Sequence, residues 1–333
     1  MLRRTTAIIL LAIAICLLVS VPVLAFTPLG AKLMGSAGQP TPQPTYAPTF
    51  LKFTPVATPK PTPILTPNGK PPAITANEAM LVDEDSGHIL YDLNGEHAQP
   101  MASTTKIMTA VIAIQTANLN TLITVHQDAV NEVVNNGGST ANLKAGEQLK
   151  LQDLLYGLLV PSGDDAAIAI ADALGGSAQN FVHEMNVYAY RLRLFQTHFI
   201  NPDGLTYYDA NNQPIPGHYT TAYDLARLAQ YAMSLPLFAK IVSTPHYNVP
   251  ASATNNAHSW DNTNTLLATY TGTTGIKTGF TLEAGGCLVF SATRNGHHLL
   301  GVVLHSIPEI DRFSDAKLLL DWGFSLPLEI PQP

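Results

Sequence analysis

Apolar residues are distributed unevenly along this chain of 333 residues. Ala7–Leu24 is almost wholly apolar, follows the basic residues Arg3 and Arg4, and ends in a small-residue pattern at Ala25, which is typical of an export segment. Residues 1–26 are therefore predicted to be a signal peptide. Left uncleaved, the same stretch is long enough to anchor the chain in a bilayer about 30 Å thick. In both cases we expect the remaining chain outside the cytoplasm, associated with the cell envelope or secreted.

The apolar pattern disappears in residues 27–72, where Pro and Thr dominate and twelve prolines occur. Proline fixes φ and removes an amide donor, so this stretch is predicted to be a disordered, extended linker. Regular apolar patterns return after it. We therefore assign residues 73–326 to one globular domain and residues 327–333 to a short C-terminal tail.

The globular part has strand patterns at both ends and helical patterns between them. Met80–Val82 and His88–Tyr91 flank a Gly-containing turn and predict a β-hairpin. Ser103–Thr116 is apolar on nearly every side, as expected of a helix buried inside a domain. Together the patterns predict an α+β fold, in which an antiparallel sheet built from both ends packs with a helical region. Further helices are predicted at Leu151–Leu159, Asp165–Leu174, Ala178–Leu194 and Asp311–Trp322, and further strands at Cys287–Ala292 and Leu299–Leu304.

Composition excludes several classes of function. The formal net charge is −7 and no basic stripe is present to neutralise phosphates, so nucleic-acid binding is not expected. The eleven histidines are scattered, and no H-E-x-x-H or C-x-x-C motif occurs, so neither a metal nor another cofactor is expected. Cys287 is the only cysteine beyond the export segment, and its apolar neighbours favour a core residue over a nucleophile.

Three short motifs carry the chemical information: Ser103-Thr104-Thr105-Lys106, Ser162-Gly163-Asp164 and Lys277-Thr278-Gly279. Single motifs of this kind arise by chance, and the chain has a second S-x-x-K at Ser314–Lys317. Ser103 is favoured because an apolar run follows it and the other two motifs lie downstream. Motifs of these types in this order are typical of acyl transfer through an activated serine.

The first two motifs are predicted to activate the serine. Positions i and i+3 share one face of a helix, so Lys106 is expected to reach the hydroxyl of Ser103 and remove its proton. A lysine is a base only when burial or another cation favours its neutral form, and Lys277 is the expected cation. Ser162 lies in a loop from which its hydroxyl would relay a proton between Lys106 and the leaving group. The alternative, that Ser162 or Asp165 only caps the following helix, stays open.

The third motif is predicted to be a strand edge along which a substrate backbone lies. Gly279 would allow the substrate to approach closely, and Lys277 with Thr278 would bind a carboxylate. The main-chain amides of Ser103 and Phe280 are the candidate donors to an oxyanion.

Residues 75–326 resemble the D-alanyl-D-alanine carboxypeptidases among the low-molecular-mass penicillin-binding proteins. The resemblance implies the penicillin-binding/β-lactamase-like transpeptidase fold and a serine-type peptidase. Its substrates would be peptidoglycan stem peptides ending in D-Ala-D-Ala, and β-lactams would be covalent inhibitors. Only the N-terminal segment would contact the membrane. The stretches that carry it are Pro100–Thr109, Asp153–Leu159, Thr197–Leu205 and Gly275–Thr281.

The resemblance assigns Ser103 as nucleophile, Lys106 as base and Ser162 as proton relay, and it adds one residue. Arg312 matches a family arginine near the substrate carboxylate, although a surface arginine at the start of the last helix is an open alternative. Asp164 departs from the family, which usually has Asn at this position. An ionised Asp164 would accept hydrogen bonds only, and a pair with Lys106 or Lys277 would hold that lysine protonated, which puts the rate and the pH optimum in doubt.

Three rival functions use the same motifs. A β-lactamase of class A needs a glutamate for deacylation, and Arg193–Asn201, where that residue is expected, contains no Glu or Asp. A D,D-endopeptidase would cleave cross-links with the same machinery. A non-catalytic sensor would bind wall peptides or β-lactams without turnover, with Asp164 as the reason.

Overall fold

The computed structural model describes residues 64–329. The predicted signal or anchor segment, most of the predicted linker and residues 330–333 lie outside this part of the chain. Within 64–329, no helix combines the length and the apolar character needed to cross a membrane.

The described chain begins and ends in strands, and most of its helices lie between. The strands are β1 Ile64–Leu65, β2 Glu78–Asp83, β3 Ile89–Leu93, β4 Leu122–Thr124, β5 Gln148–Lys150, β6 His246–Val249, β7 His258–Asp261, β8 Thr273–Thr281, β9 Gly285–Arg294, β10 His297–Ser306 and β11 Leu328–Glu329. The α-helices are α1 Lys106–Thr116, α2 Gln127–Asn136, α3 Leu151–Leu159, α4 Asp164–Gly175, α5 Ala178–Arg191, α6 Ala222–Met233, α7 Pro236–Val242, α8 Leu266–Thr269 and α9 Arg312–Ser325, with 3-10 turns at Ala102–Thr105 and Glu309–Asp311.

The main sheet is antiparallel, with strand order β3-β2-β10-β9-β8. It joins the first hairpin of the domain to its last three long strands, so the predicted sheet built from both ends of the domain is confirmed. The predicted hairpin is present, with Leu81 paired to Tyr91. Among the strands of residues 64–329, β8 lies at one edge of this sheet and has a strand partner on one side only.

Both faces of the sheet are covered, which explains why its strands are apolar at nearly every position. Along β10, Leu300 and Val302 belong to the core shared with the helical region, whereas Leu299 and Val303 pack in the core beneath α9. Cys287 is buried on the helical side, and burial raises the pKa of its thiol to about 12, as expected of a core residue.

Helix α1 lies at the centre of the helical region. Every residue from Lys106 to Ala113 is buried, in agreement with the apolar pattern. The structure differs from the prediction at its start: Ser103 lies in a 3-10 turn, and the α-helix begins only at Lys106. The threonine hydroxyls of the motif hold this tighter turn, since Thr104 Oγ1 donates to Met101 O and Thr105 Oγ1 to Ala102 O.

The predicted domain limits of 73 and 326 differ from the structure. Strand β1, inside the predicted linker, pairs antiparallel with β11, inside the predicted tail, and Leu65 is buried. A strand as short as Ile64–Leu65 shows no apolar period at the edge of a proline-rich segment. Its partner strand lies more than 260 residues away in the sequence, so no local pattern indicates the pairing. Residues 64–72 and 327–329 therefore belong with the globular part.

The buried carboxylate of Asp315 links Thr75 and Ala76, near the start of the domain, to the last helix. Asp315 on α9 accepts hydrogen bonds from Thr75 N, Thr75 Oγ1, Ala76 N and Ser306 Oγ at 2.9 to 3.0 Å. Hydrogen bonds to a buried charged group are stronger than neutral ones, so this cluster stabilises the junction of the two termini.

We expect Asp315→Asn to lower the free energy of unfolding by about 2 kcal/mol, because an amide cannot accept all four bonds and introduces a donor. Urea unfolding followed by circular dichroism measures the change. Glu309→Gln is the matched control, since it removes the same charge from an exposed position. Equal stability of the two variants would contradict the role given to Asp315.

Candidate active site

The turn that carries Ser103 is pressed against a neighbouring loop. Ala102 adopts a φ of 47° in this turn, and Gly204 lies directly against its carbonyl. Gly204 itself has a φ of +93°, and an added Cβ would stand 2.0 Å from Ala102 O. Only glycine fits this contact, which brings the loop of residues 201–205 onto the start of α1.

Lys106 has no exposed surface, and its amine is surrounded by three acceptors. Nζ donates to Ser103 Oγ at 2.8 Å, to Asp164 Oδ1 at 2.5 Å and to Asp203 O at 2.7 Å. An ammonium has three protons, so these contacts satisfy it completely. The predicted contact between Lys106 and Ser103 is present, although the turn between them is 3-10 and not α-helical.

Asp164 therefore pairs with Lys106 and not with Lys277, the two partners that the sequence left open. Its carboxylate is buried, with Oδ2 packed where a side chain on Gly138 would otherwise lie. Burial raises the pKa of Asp164, against the opposing effect of the Lys106 charge. Asp203 beside it is also buried, and burial together with the Asp164 charge raises its pKa well above its usual range.

Ser162 pairs with the second buried lysine. Lys277 Nζ donates to Ser162 Oγ at 2.8 Å and to Thr278 O at 2.9 Å. Ser162 has a φ of 68°, and the residue that precedes α4 as its N-cap is Gly163. The hydroxyl of Ser162 therefore faces Lys277, and it does not cap the helix.

The pKa of the Lys277 amine lies well below its usual range. Burial is the largest cause, and the charges of Lys106 and Arg312 add to it. The sequence predicted Lys277 as the cation acting on Lys106. The structure shows an influence in the opposite direction, because the charge of Lys106 favours the neutral form of Lys277.

The free edge of β8 faces the nucleophile. A Cβ added to Gly279 would stand 3.1 Å from Ser103 N, so the absence of a side chain sets how closely strand and turn approach. Thr278 Oγ1 is 2.6 Å from Thr263 Oγ1, and Phe280 is exposed. The strand edge, its glycine and Ser103 thus share one surface.

A cleft of about 290 Å³ lies on this surface. Seven of the nine predicted site residues line it, and Lys106 and Lys277 are buried beneath. The sequence analysis did not select the other lining residues, because a Gly-Gly-Ser turn and a lone threonine carry no chemical signature. The predicted lining residues are Ser103, Ser162, Asp164, Thr278, Gly279, Phe280 and Arg312, and the additional ones are Gly137, Gly138, Ser139, Leu205 and Thr263.

Arg312 lies at this cleft and is only partly exposed. Its Nη1 donates to Glu309 O at 2.7 Å, and its guanidinium lies 4.7 Å from the centre of the Phe313 ring. Burial lowers the pKa of Arg312. The guanidinium supplies a positive charge at the cleft.

A histidine, His218, hydrogen-bonds to the turn that carries the nucleophile. His218 Nδ1 accepts from Ile200 N at 3.1 Å, which places the ring proton on Nε2, 2.7 Å from Thr105 Oγ1. Thr105 in turn donates to Ala102 O. Burial, with the charges of His198 and Lys106, lowers the pKa of His218 to about 3, so the ring is neutral. Neither periodicity nor motif spacing selected this residue.

Within residues 64–329, no group of three or more His, Cys, Asp or Glu side chains is arranged to hold a metal ion.

Comparison with known protein families gives a match over most of the chain. The family model described as D-alanyl-D-alanine carboxypeptidase (Peptidase_S11) matches residues 66–307. The D-alanyl-D-alanine carboxypeptidase of Streptomyces sp. (strain K15) is 36% identical over 267 residues, which cover 77% of this chain and 89% of that protein. The D-alanyl-D-alanine endopeptidase of Pseudomonas aeruginosa is 30% identical, and the match covers 75% of this chain and 77% of that protein. The chain spans 62% to 64% of the length of several further carboxypeptidases.

Solved structures share the fold. The crystal structure of the Streptomyces K15 DD-transpeptidase superimposes with a TM-score of 0.71 at 35% identity, covering 78% of this chain and 100% of that one. The predicted penicillin-binding fold is therefore confirmed.

We expect the His218 ring to remain neutral from pH 8 down to about pH 4, because protonation of Nδ1 would oppose the Ile200 amide. Its folded pKa is depressed, so protons bind the unfolded chain first, and stability falls as pH decreases below about 6.5, by up to about 1.4 kcal/mol per pH unit. Nitrogen-15 NMR of the histidine rings measures this. A ring titration near pH 6.5 assigned to His218 would contradict the network.

Proposed function

The chain belongs to the D-alanyl-D-alanine carboxypeptidase family, and on that premise we propose that Ser103 forms the acyl-enzyme through which it removes the terminal D-Ala of peptidoglycan stem peptides. The family membership makes it a serine-type peptidase of the penicillin-binding class, as the motifs predicted. One observation carries the residue assignment. Lys106 Nζ lies 2.8 Å from Ser103 Oγ, without exposed surface, directly beneath a cleft bordered by the β8 edge.

The first step transfers the hydroxyl proton of Ser103 to Lys106 while Oγ attacks the carbonyl carbon of the penultimate D-Ala. Lys106 accepts this proton only in its neutral form, in which the amine has a free lone pair. The apolar residues of α1 around it disfavour the charged form, and Asp164 opposes them.

The reacting peptide makes three kinds of contact, through its oxyanion, its terminal carboxylate and its backbone. The amides of Ser103 and Phe280 donate to the oxyanion, a contribution worth about 10² to 10³ in rate for each donor. The terminal carboxylate lies against Thr278, with Arg312 supplying charge at the same cleft. The peptide backbone runs along the free edge of β8 as an additional strand.

The second step breaks the bond between the penultimate carbonyl and the terminal amine. The leaving amine takes a proton from Ser162, and Ser162 recovers one from Lys106, which holds the proton taken from Ser103. Lys277 Nζ donates to Ser162 Oγ and orients this hydroxyl for the relay. Water then hydrolyses the ester on Ser103 and releases the shortened peptide.

The enzyme would act outside the cytoplasm, where peptidoglycan is exposed, and the apolar residues 1–26 are the segment that would direct it there. Its partners would be stem peptides as substrates and β-lactams as covalent inhibitors, without nucleic acid. Residues 27–63 would then serve as the linker between the envelope and the catalytic domain.

Incubation with a pentapeptide ending in D-Ala-D-Ala is expected to release D-Ala, and Ser103→Ala is expected to reduce release by at least about 10³-fold, because no other group here replaces the nucleophile. Ser314→Ala, in the chance S-x-x-K, is the matched control and should keep full activity. Binding without release would support the sensor. Faster cleavage of a cross-linked dimer than of the pentapeptide would support the endopeptidase, and rapid repeated hydrolysis of penicillin would support a β-lactamase.

Asp164→Asn is expected to raise kcat/KM about tenfold at neutral pH, a change of about 1.4 kcal/mol, because a neutral amide bonds the ammonium form of Lys106 less strongly than the carboxylate does. We expect the acidic limb of the pH–rate profile to lie at lower pH in the variant than in the wild type. Initial rates of D-Ala release, measured at pH values between 5 and 10, provide the pH–rate profile.

The control is the adjacent Asp165→Asn. Its carboxylate bonds Thr140 Oγ1, Ala141 N and Leu143 N, so this change should lower stability and leave the acidic limb in place. If Asp164→Asn loses activity while remaining folded, Asp164 is itself a required proton acceptor, and its proposed effect on Lys106 is wrong.

A further inference from the structure

A surface outside the active-site cleft combines exposed aromatic rings with positive charge. Tyr190, near the end of α5, and Phe195, in the turn after it, expose 73% and 68% of their surface to solvent, and neither lines the cleft. Their rings contact each other edge to face, with 5.8 Å between the centroids. Single exposed apolar side chains are common, but two aromatic rings that pack on each other at the surface indicate a site for a partner.

The turn after α5 holds the two rings together. Arg193 has a φ of 60°, its amide donates to Tyr190 O at 3.0 Å, and the amide of Leu194 donates to Ala189 O at 2.8 Å. The side chain of Leu194 is buried beneath the turn. The exposed rings are therefore carried by hydrogen-bonded backbone that is anchored in the core.

A cavity of about 360 Å³ lies beside this turn. Leu192 and Arg227 both line it, and Arg227 Nη2 donates to Leu192 O at 3.3 Å. The buried side chains of Met80 and Val82 on β2 form apolar walls, and Ile89, which is 44% exposed, also lines the space. The apolar surface therefore continues from the aromatic pair into a depression with an arginine beside it, as expected of a site that binds an amphiphile.

Three arginines surround this apolar surface. Arg191 and Arg193 flank Leu192 in the chain, and Arg227 contacts its carbonyl, so three of the five arginines of residues 64–329 lie at one place. Within that part of the chain, none of the three forms an ion pair. A guanidinium has five donors that match phosphate oxygens, so these side chains are suited to bind phosphate groups.

The carboxylates near this surface have other partners. Asp224, one turn before Arg227 on α6, is buried and accepts from Gln196 N and Thr197 Oγ1 at 2.8 and 2.9 Å. The charge of Arg227 lowers the pKa of Asp224, so these two groups partly offset each other. Arg191 and Arg193 are exposed and keep their charge, although the formal net charge of the whole chain is −7.

We propose that this surface docks the domain on a bilayer that contains anionic phospholipid, with the arginines on the lipid phosphates and the aromatic pair at the boundary between headgroups and acyl chains. Aromatic rings and basic side chains are the groups that proteins place at such a boundary. We call it the docking surface, and it consists of Tyr190, Arg191, Leu192, Arg193, Phe195 and Arg227. It adds a second membrane contact to that expected of the N-terminal segment, and it does not depend on the reaction proposed at Ser103.

The test uses the full chain with Phe195→Trp and vesicles of phosphatidylglycerol and phosphatidylcholine whose acyl chains carry bromine, which quenches indole fluorescence. We expect emission from the introduced indole to be about twofold lower than in unbrominated vesicles, because the ring lies at the acyl boundary. The wild-type chain gives the background from Trp260 and Trp322. Vesicles of phosphatidylcholine alone, or added salt, should remove the quenching, because exposed charges are screened and need anionic lipid.

Two triple variants in the same background test the role of the arginines. Arg191→Gln, Arg193→Gln and Arg227→Gln together should remove the quenching. The matched control, Lys144→Gln, Lys150→Gln and Lys240→Gln, makes an equal charge change at exposed residues outside the docking surface and should keep it. Both triple variants should release D-Ala from a soluble pentapeptide at the rate of their parent, which shows that the fold is retained.

The readout reports the docking surface itself, whichever way the N-terminal segment associates with the vesicle. Absence of quenching in anionic vesicles, or quenching that survives the arginine variant, overturns the proposal. An emission change without vesicles that grows with protein concentration would mean that a second copy covers the rings. An emission change with inorganic phosphate but not with vesicles would mean a site for free phosphate, and either result also overturns the proposal.

Discussion

A lysine amine enclosed at the start of a deeply buried helix is the constraint around which this structure is arranged. Removing an ammonium from water costs several kcal/mol unless its protons find partners. For Lys106 the partners come from three separate parts of the chain: the turn of Ser103, the start of α4 and the loop of residues 201–205. Each of these must be held within hydrogen-bonding distance for the amine to remain inside.

The contacts around the amine explain several features that have no catalytic role of their own. Gly204 has no side chain because the loop passes against Ala102 O. Gly138 leaves the space that Asp164 Oδ2 occupies. Thr109, one turn further along α1, donates to Pro202 O and fixes the same loop from its other side. The buried lysine and these close contacts are therefore parts of one arrangement.

A second pair of a buried lysine and a serine repeats this arrangement. Two buried lysines each contact one serine, Lys106 with Ser103 and Lys277 with Ser162, and the two serines line the same cleft. The pairs differ in their charge environment, since a carboxylate neighbours the first and the second is held toward its neutral form. Lys106 can thus hold the proton taken from the nucleophile, while Lys277 donates to Ser162 Oγ and orients the hydroxyl that passes this proton to the leaving group.

The sequence predicted those parts that depend on local pattern. Uniform apolar runs indicated α1 and the central strands, because both faces of the sheet are buried, and motif order indicated the serines and lysines. Contacts between distant segments left no such signal: the pairing of β1 with β11, the role of Asp203 and the neutral His218 all depend on loops without periodicity. Asp164 was identified as unusual, but its partner lysine required the fold.

The central claim is that the buried amine of Lys106 makes Ser103 the nucleophile. Mass spectrometry of the full chain after incubation with labelled penicillin, followed by proteolysis, tests it most directly. The account predicts one adduct, on the peptide that contains Ser103, and its loss in Lys106→Ala with the fold retained. An adduct on Ser162 or on another residue, or an undiminished adduct without Lys106, would contradict it.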